Sequence, residues 1–573
     1  MQSKTNVSCK WLEVLASALI GVAPTAASAG GHTTAIDSGS IQRDFQASQK
    51  GDVEAPYERL SLPSPQKKNS SETLFSVSSF VLTGVTVLTP DESVLVLKPW
   101  TDKQLDFSAL SDAALALEGY YQSKGFLARV VIPPQDVIDG VVKLTVIEGR
   151  LGKIEIVKVD KWPVTKERLI STLHTLVRSD QTLDLVALER AIGLINTLSG
   201  VRASGAIKPG IIPETSDAVI TIDRTSVFGG VVQTDNTGNA RTGASRLSTN
   251  LAWNNPGGYG DRLQSNLMIS QGLRYLQMGY SSPAGYASDR LELSASRLNY
   301  TLIGGVPGLL SLGSASVASL EWTRQLAYAR QWRTDMSAQF TRSLFSDTSG
   351  PETTERQVQA AVISLSSTRY WGTAISTSAQ LSLTSGRVDL SQTPVNQGLD
   401  QAGLKTEGAY RKVNLSLTQI AQIRPESSLH IKVSGQWAQK NLDSSQRFAL
   451  GGANGVRAYP SSEGSGDQGV LISAEWHEVF SPGVQVKAFY DIGRTRKFKS
   501  PVPGVLDTPN RYSLRGRGVG LDYRIRPMMT LSMVLARRMG DNPGAQLSES
   551  GSFVENDGTR RLNRILLSLT ANF

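Results

Sequence analysis

The apolar positions change period several times over the first 224 residues, and one period persists after them. Residues 110–125 place Leu110, Ala113, Ala114, Leu117 and Tyr121 on one helical face, with Gly125 where a helix C-cap is expected. Residues 76–82, 126–132 and 141–147 read as strands. After Gly149 the order begins again, with a strand at 154–159, helices at 166–176 and 185–198, and strands at 201–207 and 218–222. Residues 75–149 and 150–224 are therefore two successive β-α-α-β-β units, an internal repeat of architecture.

Beyond Arg224 the helical period disappears. Leu247, Thr249, Leu251 and Trp253 alternate with polar neighbours up to a turn cluster beginning at Asn254. Leu429, Ile431, Val433 and Trp437 do the same, and so do Ile565, Leu567, Leu569, Ala571 and Phe573. Such alternation suits a soluble sandwich or a transmembrane antiparallel barrel. A sandwich of this length without helices is uncommon, and a closed barrel removes the unpaired edges of a long open sheet. Residues 225–573 hold about 16 strands at roughly 20 residues per strand and connection. An aromatic last residue, Phe573, is a usual ending for an outer-membrane strand.

Composition narrows this further. The 573 residues are 40% apolar, with a mean hydropathy of −0.17. Past the first thirty positions no apolar run is long enough for a membrane helix, whereas barrel strands average out to ordinary polarity. Net charge is +9, but Lys and Arg are spread along the chain without a recognition motif, so no nucleic-acid partner is expected. Inward-facing Arg and Lys would line a pore.

Residues 1–29 read as a secretory signal: Lys4 and Lys10 are followed by an apolar stretch over 11–23 and by Ala27-Ser28-Ala29. The single cysteine, Cys9, falls inside it, so a processed chain relies on no disulfide. Residues 30–74 are polar, and Pro56, Pro63 and Pro65 mark a linker; 36–49 suits a short helix.

Two stretches of the barrel carry candidate chemistry. Residues 448–469 are too rich in glycine for a strand and too long for a hairpin turn, so they read as a large loop. On a strand starting near Val484, parity sends Val484, Val486, Ala488, Tyr490 and Ile492 to lipid. Gln485, Lys487, Phe489, Asp491 and Gly493 then face the lumen. A carboxylate on a water-filled wall needs no partner. If the loop folds back inside, Arg457 reaches Asp491, and Gly493 leaves room beside the pair. His430 and His477 face the lumen by the same parity, near no nucleophile motif, so catalysis is not expected. Four scattered histidines and no cysteine past the signal give no metal site.

Val456-Arg457-Ala458-Tyr459 and Phe489-Tyr490-Asp491-Ile492-Gly493 resemble the signatures of barrels that follow periplasmic POTRA domains, with Ala458 where the family has glycine. With the two preceding units, the linker and Phe573, the chain resembles the transporters of two-partner (type V) secretion, the haemolysin and filamentous-haemagglutinin secretion type. The resemblance implies an α+β pair of POTRA repeats at 75–149 and 150–224, followed by the outer-membrane barrel. It implies a large exoprotein partner (adhesin, cytolysin or contact-dependent toxin) captured in the periplasm and passed through the pore without nucleotide or other cofactor. Arg457 would anchor the loop to Asp491, with Val456, Tyr459, Phe489 and Gly493 around the pair. Residues 36–49 would plug the resting pore. Phe573 would signal to the barrel assembly machinery, and outer-membrane lipid would surround the barrel. Insertases of other barrels share both motifs but usually carry three or five periplasmic units, which makes them the alternative.

Overall fold

The computed structural model describes residues 36–49, 74–158, 162–177, 182–212, 215–285, 288–304, 310–329, 331–501, 508–547 and 551–573. The expected signal and most of the expected linker lie outside the described residues.

The two α/β units share one topology. In the first, Ser79–Thr83 runs parallel to Val141–Glu148, which pairs antiparallel with Ala128–Val131. In the second, Arg150–Lys158 runs parallel to Thr215–Arg224, which pairs antiparallel with Val201–Pro209. Helices Phe107–Ser123 and Leu185–Asn196 bury their apolar faces on these sheets, Leu117 and Tyr121 in one core and Leu188 and Ile195 in the other. Asp106 caps the first by accepting from the Ala109 N–H, and Gly125, at φ 90°, turns the chain out of it.

One detail differs from the sequence reading, and one completes it. The strand expected at 76–82 is split: Phe75–Val77 pairs with Lys103–Leu105, and Ser79–Thr83 joins the main sheet. The break lies at Ser78, whose N–H donates to the Gly140 carbonyl at 2.7 Å. The first of the two helices in the β-α-α-β-β order, to which the sequence reading gave no range, is Pro90–Leu97, opened by a capping box of Thr89 and Glu92. Its Val94 and Leu95 are exposed, so it shows no apolar stripe.

Among the described residues, sixteen antiparallel strands close a barrel, Asn563–Asn572 pairing with Phe228–Asp235. Leu247, Leu251 and Trp253 are exposed on its outer wall, as the alternation requires. Phe573 extends the closing ladder: its N–H donates to the Gly230 carbonyl and its carbonyl accepts from the Gly230 N–H, both at 3.0 Å. The second α/β unit is seated on the end of the barrel where strands meet in short turns. Ser199 N–H donates to the Gly260 carbonyl at 3.1 Å, and Arg168 Nη2 to the Gly285 carbonyl at 2.7 Å. A Cβ on Gly260 would come within 2.8 Å of Leu198, so the turn must be bare for the unit to sit down.

Candidate functional site in the barrel lumen

The strand Val484–Arg496 alternates exposed and buried positions, and Phe489, Asp491 and Gly493 fall on the buried, lumenal side. The connection over residues 439–467 folds back into the lumen and meets them. Arg457 Nη2 lies 2.7 Å from Asp491 Oδ1 and Nε lies 2.9 Å from Oδ2, a bidentate pair. The Arg457 N–H also donates to Asp491 Oδ2 at 3.2 Å. Nη1 is 2.9 Å from Glu475 Oε1, and Nη2 donates to Ser473 Oγ at 3.1 Å. The guanidinium carbon lies 3.5 Å from the centre of the Phe489 ring. Asp491 has no exposed surface, and the Ser473 hydroxyl donates to it at 2.7 Å.

The loop tip is fitted by bare backbone on the wall. A Cβ on Gly493 would stand 2.6 Å from Leu450 Cδ2, and one on Gly516 would stand 2.9 Å from the Ala458 Cβ. Ala458 has no positive φ, so nothing in its backbone asks for glycine, and Gly516 supplies the space that its methyl needs. Val456 and Tyr459 are buried in a small apolar cluster with Leu450 and Leu514.

A second element occupies the lumen. The helix Ser38–Gln49 lies against wall strands and against the loop. Asp37 pairs with Arg356 at 2.7 Å and accepts from the Ser444 hydroxyl at 2.6 Å. Ser38 N–H and Oγ donate to Asp347 at 2.9 and 2.8 Å. Arg43 donates to the Ser444 carbonyl and to Ser465 and Ser462 at 2.8–2.9 Å, and the Phe45 ring stands 3.8 Å from that of Tyr275. A Cβ on Gly39 would meet Ser444 Oγ at 2.9 Å and Arg356 Nη2 at 3.0 Å, so glycine permits this approach. Arg356 also lies 3.2 Å from Asp347 and 3.4 Å from Asp443, binding helix, wall and loop at one point. Burial raises the Asp37 carboxyl, but Arg356 and the Ser444 hydroxyl outweigh it and hold the group below its ordinary range.

Several of these residues were not singled out by the sequence. Glu475 bridges Arg457 and His477, at 2.9 Å to each, and the His477 ring stacks on that of His430 at 3.9 Å. Glu475 shares the lumenal face of its strand with His477, two residues on, but nothing in one sequence pairs it with a loop. Asp347, Arg356 and Asp443 carried no signal beyond being charged. Glu463, fully enclosed in the loop, accepts from the Asn556 N–H at 2.9 Å and from Asn542 Nδ2 at 3.0 Å. Burial, with Glu555 and Asp557 nearby, pushes its carboxyl up to about 7 despite those donors.

Comparison with known proteins fits this geometry. The family described as haemolysin secretion/activation protein ShlB/FhaC/HecB matches residues 214–522, and the ShlB-type POTRA domain matches residues 75–149. The chain belongs to this haemolysin secretion/activation family. It is an outer-membrane two-partner-secretion transporter, a pore that moves an exoprotein across the outer membrane, in a family of secretion pores and not of enzymes. The heme/hemopexin transporter protein HuxB of Haemophilus influenzae is 26% identical over 462 residues, 79% of this chain and 81% of that one. The outer membrane transporter CdiB of Escherichia coli is 30% identical over 232 residues, 39% of each chain. A solved structure of CdiB from Escherichia coli shares the fold, with a TM-score of 0.64 at 19% identity, covering 93% of this chain and 95% of that one.

Proposed function

We propose that this transporter rests closed, its lumen filled by two pieces, and that capture of a large exoprotein in the periplasm releases them in favour of the passing chain. The observation that carries this reading is the joining of the helix Ser38–Gln49 to the loop 439–467 and of both to the wall, through Arg356 and Arg457. Arg457, Asp491 and Glu475 act as the anchor of the loop, with Phe489, Gly493, Val456 and Tyr459 shaping its seat. The helix is the plug.

Residues 150–224 are taken as a second POTRA unit on the topology they share with 75–149. Among the described residues no further strand lies beyond Ser79–Thr83 and Ala128–Val131 in one sheet or Arg150–Lys158 and Val201–Pro209 in the other, although Glu118 takes the Val130 N–H and Asn196 takes both backbone groups of Ala203. An extended segment of the exoprotein adding to such an edge gains backbone hydrogen bonds without a sequence code. Transport needs no cofactor and no chemical step in this scheme. Phe573, in the closing ladder, is the residue presented to the barrel assembly machinery.

The test is co-expression with the large secreted protein encoded beside this chain, comparing its amount in medium and periplasm against an empty vector. Secretion that depends on this chain is the expected result. Unchanged secretion with failed assembly of other barrels would replace the transporter by an insertase.

A further inference from the structure

The pore function leaves one charged surface unused, and it faces outward. On the strands Val484–Arg496, Arg511–Arg526 and Met529–Arg538 the lumenal positions are buried, among them Asp491, Leu514, Gly516 and Ala536. The alternate positions are exposed on the outer wall and include Arg494, Arg511, Arg515, Arg517 and Arg537. The ladder brings them together. Arg517 stands directly opposite Arg537, with Tyr490 on its other side; Arg515 is opposite Ile492, and Arg494 opposite Ser513. Opposite side chains on one face are about 5 Å apart and diagonal ones about 7–8 Å, so these guanidinium groups form one patch. No outward position of the three strands holds a carboxylate. The nearest acids on these strands, Asp491 and Asp522, point inward, to Arg457 and Lys487.

Depth adds to the cost of the paired charges. Below Arg517 the outward positions are Val519, Leu521, Tyr523 and Ile525, and below Arg537 they are Leu535, Met533, Leu531 and Met529. From Ile525 to Arg517, eight residues at about 3.4 Å each and a tilt of about 40° make roughly 21 Å along the membrane normal. An outer-membrane barrel has an apolar band about 25 Å tall, so Arg517 and Arg537 lie within its upper rim and Arg515 and Arg494 lie at its edge. Like charges placed opposite each other repel, and a cation at this depth gains nothing from hydrocarbon. An anion that reaches down from the headgroup layer while its own chains pack on Tyr490, Val519 and Leu535 removes both penalties.

We propose that this patch is a binding site for a phosphorylated glycolipid of the outer leaflet, with lipid A phosphates held between Arg494, Arg515, Arg517 and Arg537. Guanidinium forks bind phosphate oxygens in pairs, and the apolar strand surface just below takes the acyl chains. Free phosphate shares the headgroup chemistry but not the chains, so it separates the two sources.

Native mass spectrometry of the detergent-purified full chain, incubated with diphosphoryl lipid A, tests this. The wild type retains the lipid, and Arg515→Gln/Arg517→Gln/Arg537→Gln retains at least about tenfold less, as expected when charge-assisted contacts are removed. A control, Arg274→Gln/Arg342→Gln/Arg387→Gln, changes exposed arginines elsewhere on the wall and retains the wild-type amount. All six positions face outward, so barrel closure is untouched, and heat-modifiable migration on gels checks it. Wild-type retention by the first variant, equal loss in the control, or equal retention of dephosphorylated lipid A would each overturn the proposal. Displacement of the lipid by millimolar inorganic phosphate would also overturn it, since the ligand would then be a free anion.

Discussion

Replacing Arg457 by alanine tests the anchor most directly. The substitution removes both branches of a bidentate pair at 2.7 and 2.9 Å, a contact to Glu475 at 2.9 Å, and the cation over Phe489. Asp491 would remain with no exposed surface and without its counter-charge. Removing one partner of a buried pair costs about 3–5 kcal/mol. Glu475 is partly exposed, so its share is screened and the lower end of that range applies. About 3 kcal/mol is on the order of a 100-fold rise in the population of undocked loop. Hydrogen exchange reads this at the Val456 N–H, which donates to the Leu450 carbonyl at 2.7 Å, and at the Tyr459 N–H, bonded to the Val456 carbonyl at 3.1 Å. Protection at both falls by roughly that factor in Arg457→Ala, while the barrel ladder exchanges as before. The exoprotein in the medium falls in parallel, because a loop without its seat stays loose in the lumen and obstructs the passing chain. Adding Asp491→Ala to Arg457→Ala restores part of the protection, because the stranded carboxylate is gone. Wild-type protection in the single variant would refute the energetic reasoning. Lost protection with undiminished secretion would refute the functional role of the anchor.

Other consequences follow from the same geometry. Gly493→Val puts side-chain atoms where Leu450 sits, at 2.6 Å from an ideal Cβ, so protease should cut within 448–467 while the barrel stays folded. Arg356→Gln strips the counter-charge from Asp37, Asp347 and Asp443 together, and planar-bilayer conductance should shift from rare openings to a persistently open pore. Glu463 has a carboxyl raised to about 7, so the docked loop binds a proton that the undocked loop releases nearer 4.5. Docking is then favoured below the ordinary carboxylate range and loses that support as pH rises through about 7. With the intrinsic pH dependence of amide exchange divided out, protection at the Asn556 N–H should fall over this window in the wild type and stay flat in Glu463→Gln.

The barrel was legible because each wall residue must choose lipid or lumen, which imposes a period of two that one sequence displays. The strand start at Val484 and the lumenal set Phe489, Asp491 and Gly493 followed from that period alone. The loop was legible as a loop, but its docking was not, because contacts between Arg457 and Glu475 or between Arg43 and Ser462 link positions with no periodic relation. The helix Ser38–Gln49 was readable as a short helix in a polar segment, and its place in the pore came only from the family resemblance. Its partners are strands more than 200 residues away, and its buried residues include Ser38, Ser40 and Gln42, which sequence patterning assigns to solvent. A plug is thus hard to see because its core is polar.

That polarity bears on how such a plug can leave. Buried ion networks contribute little net stability over apolar packing of equal volume, since desolvation consumes most of the Coulomb gain. For a lid that must be withdrawn, the weakness is useful. When Arg356 parts from Asp37 and Arg457 from Asp491, each group can be rehydrated by the water that enters the lumen, so the open state recovers much of what the contacts supplied. An apolar plug would expose hydrocarbon on both faces, and the bared wall would hold any unfolded chain passing through it. In the proposed closed state the lumenal charges specify where helix and loop sit. In the proposed open state they would leave charged, hydrated positions on the wall beside the apolar ones that Phe45 had covered.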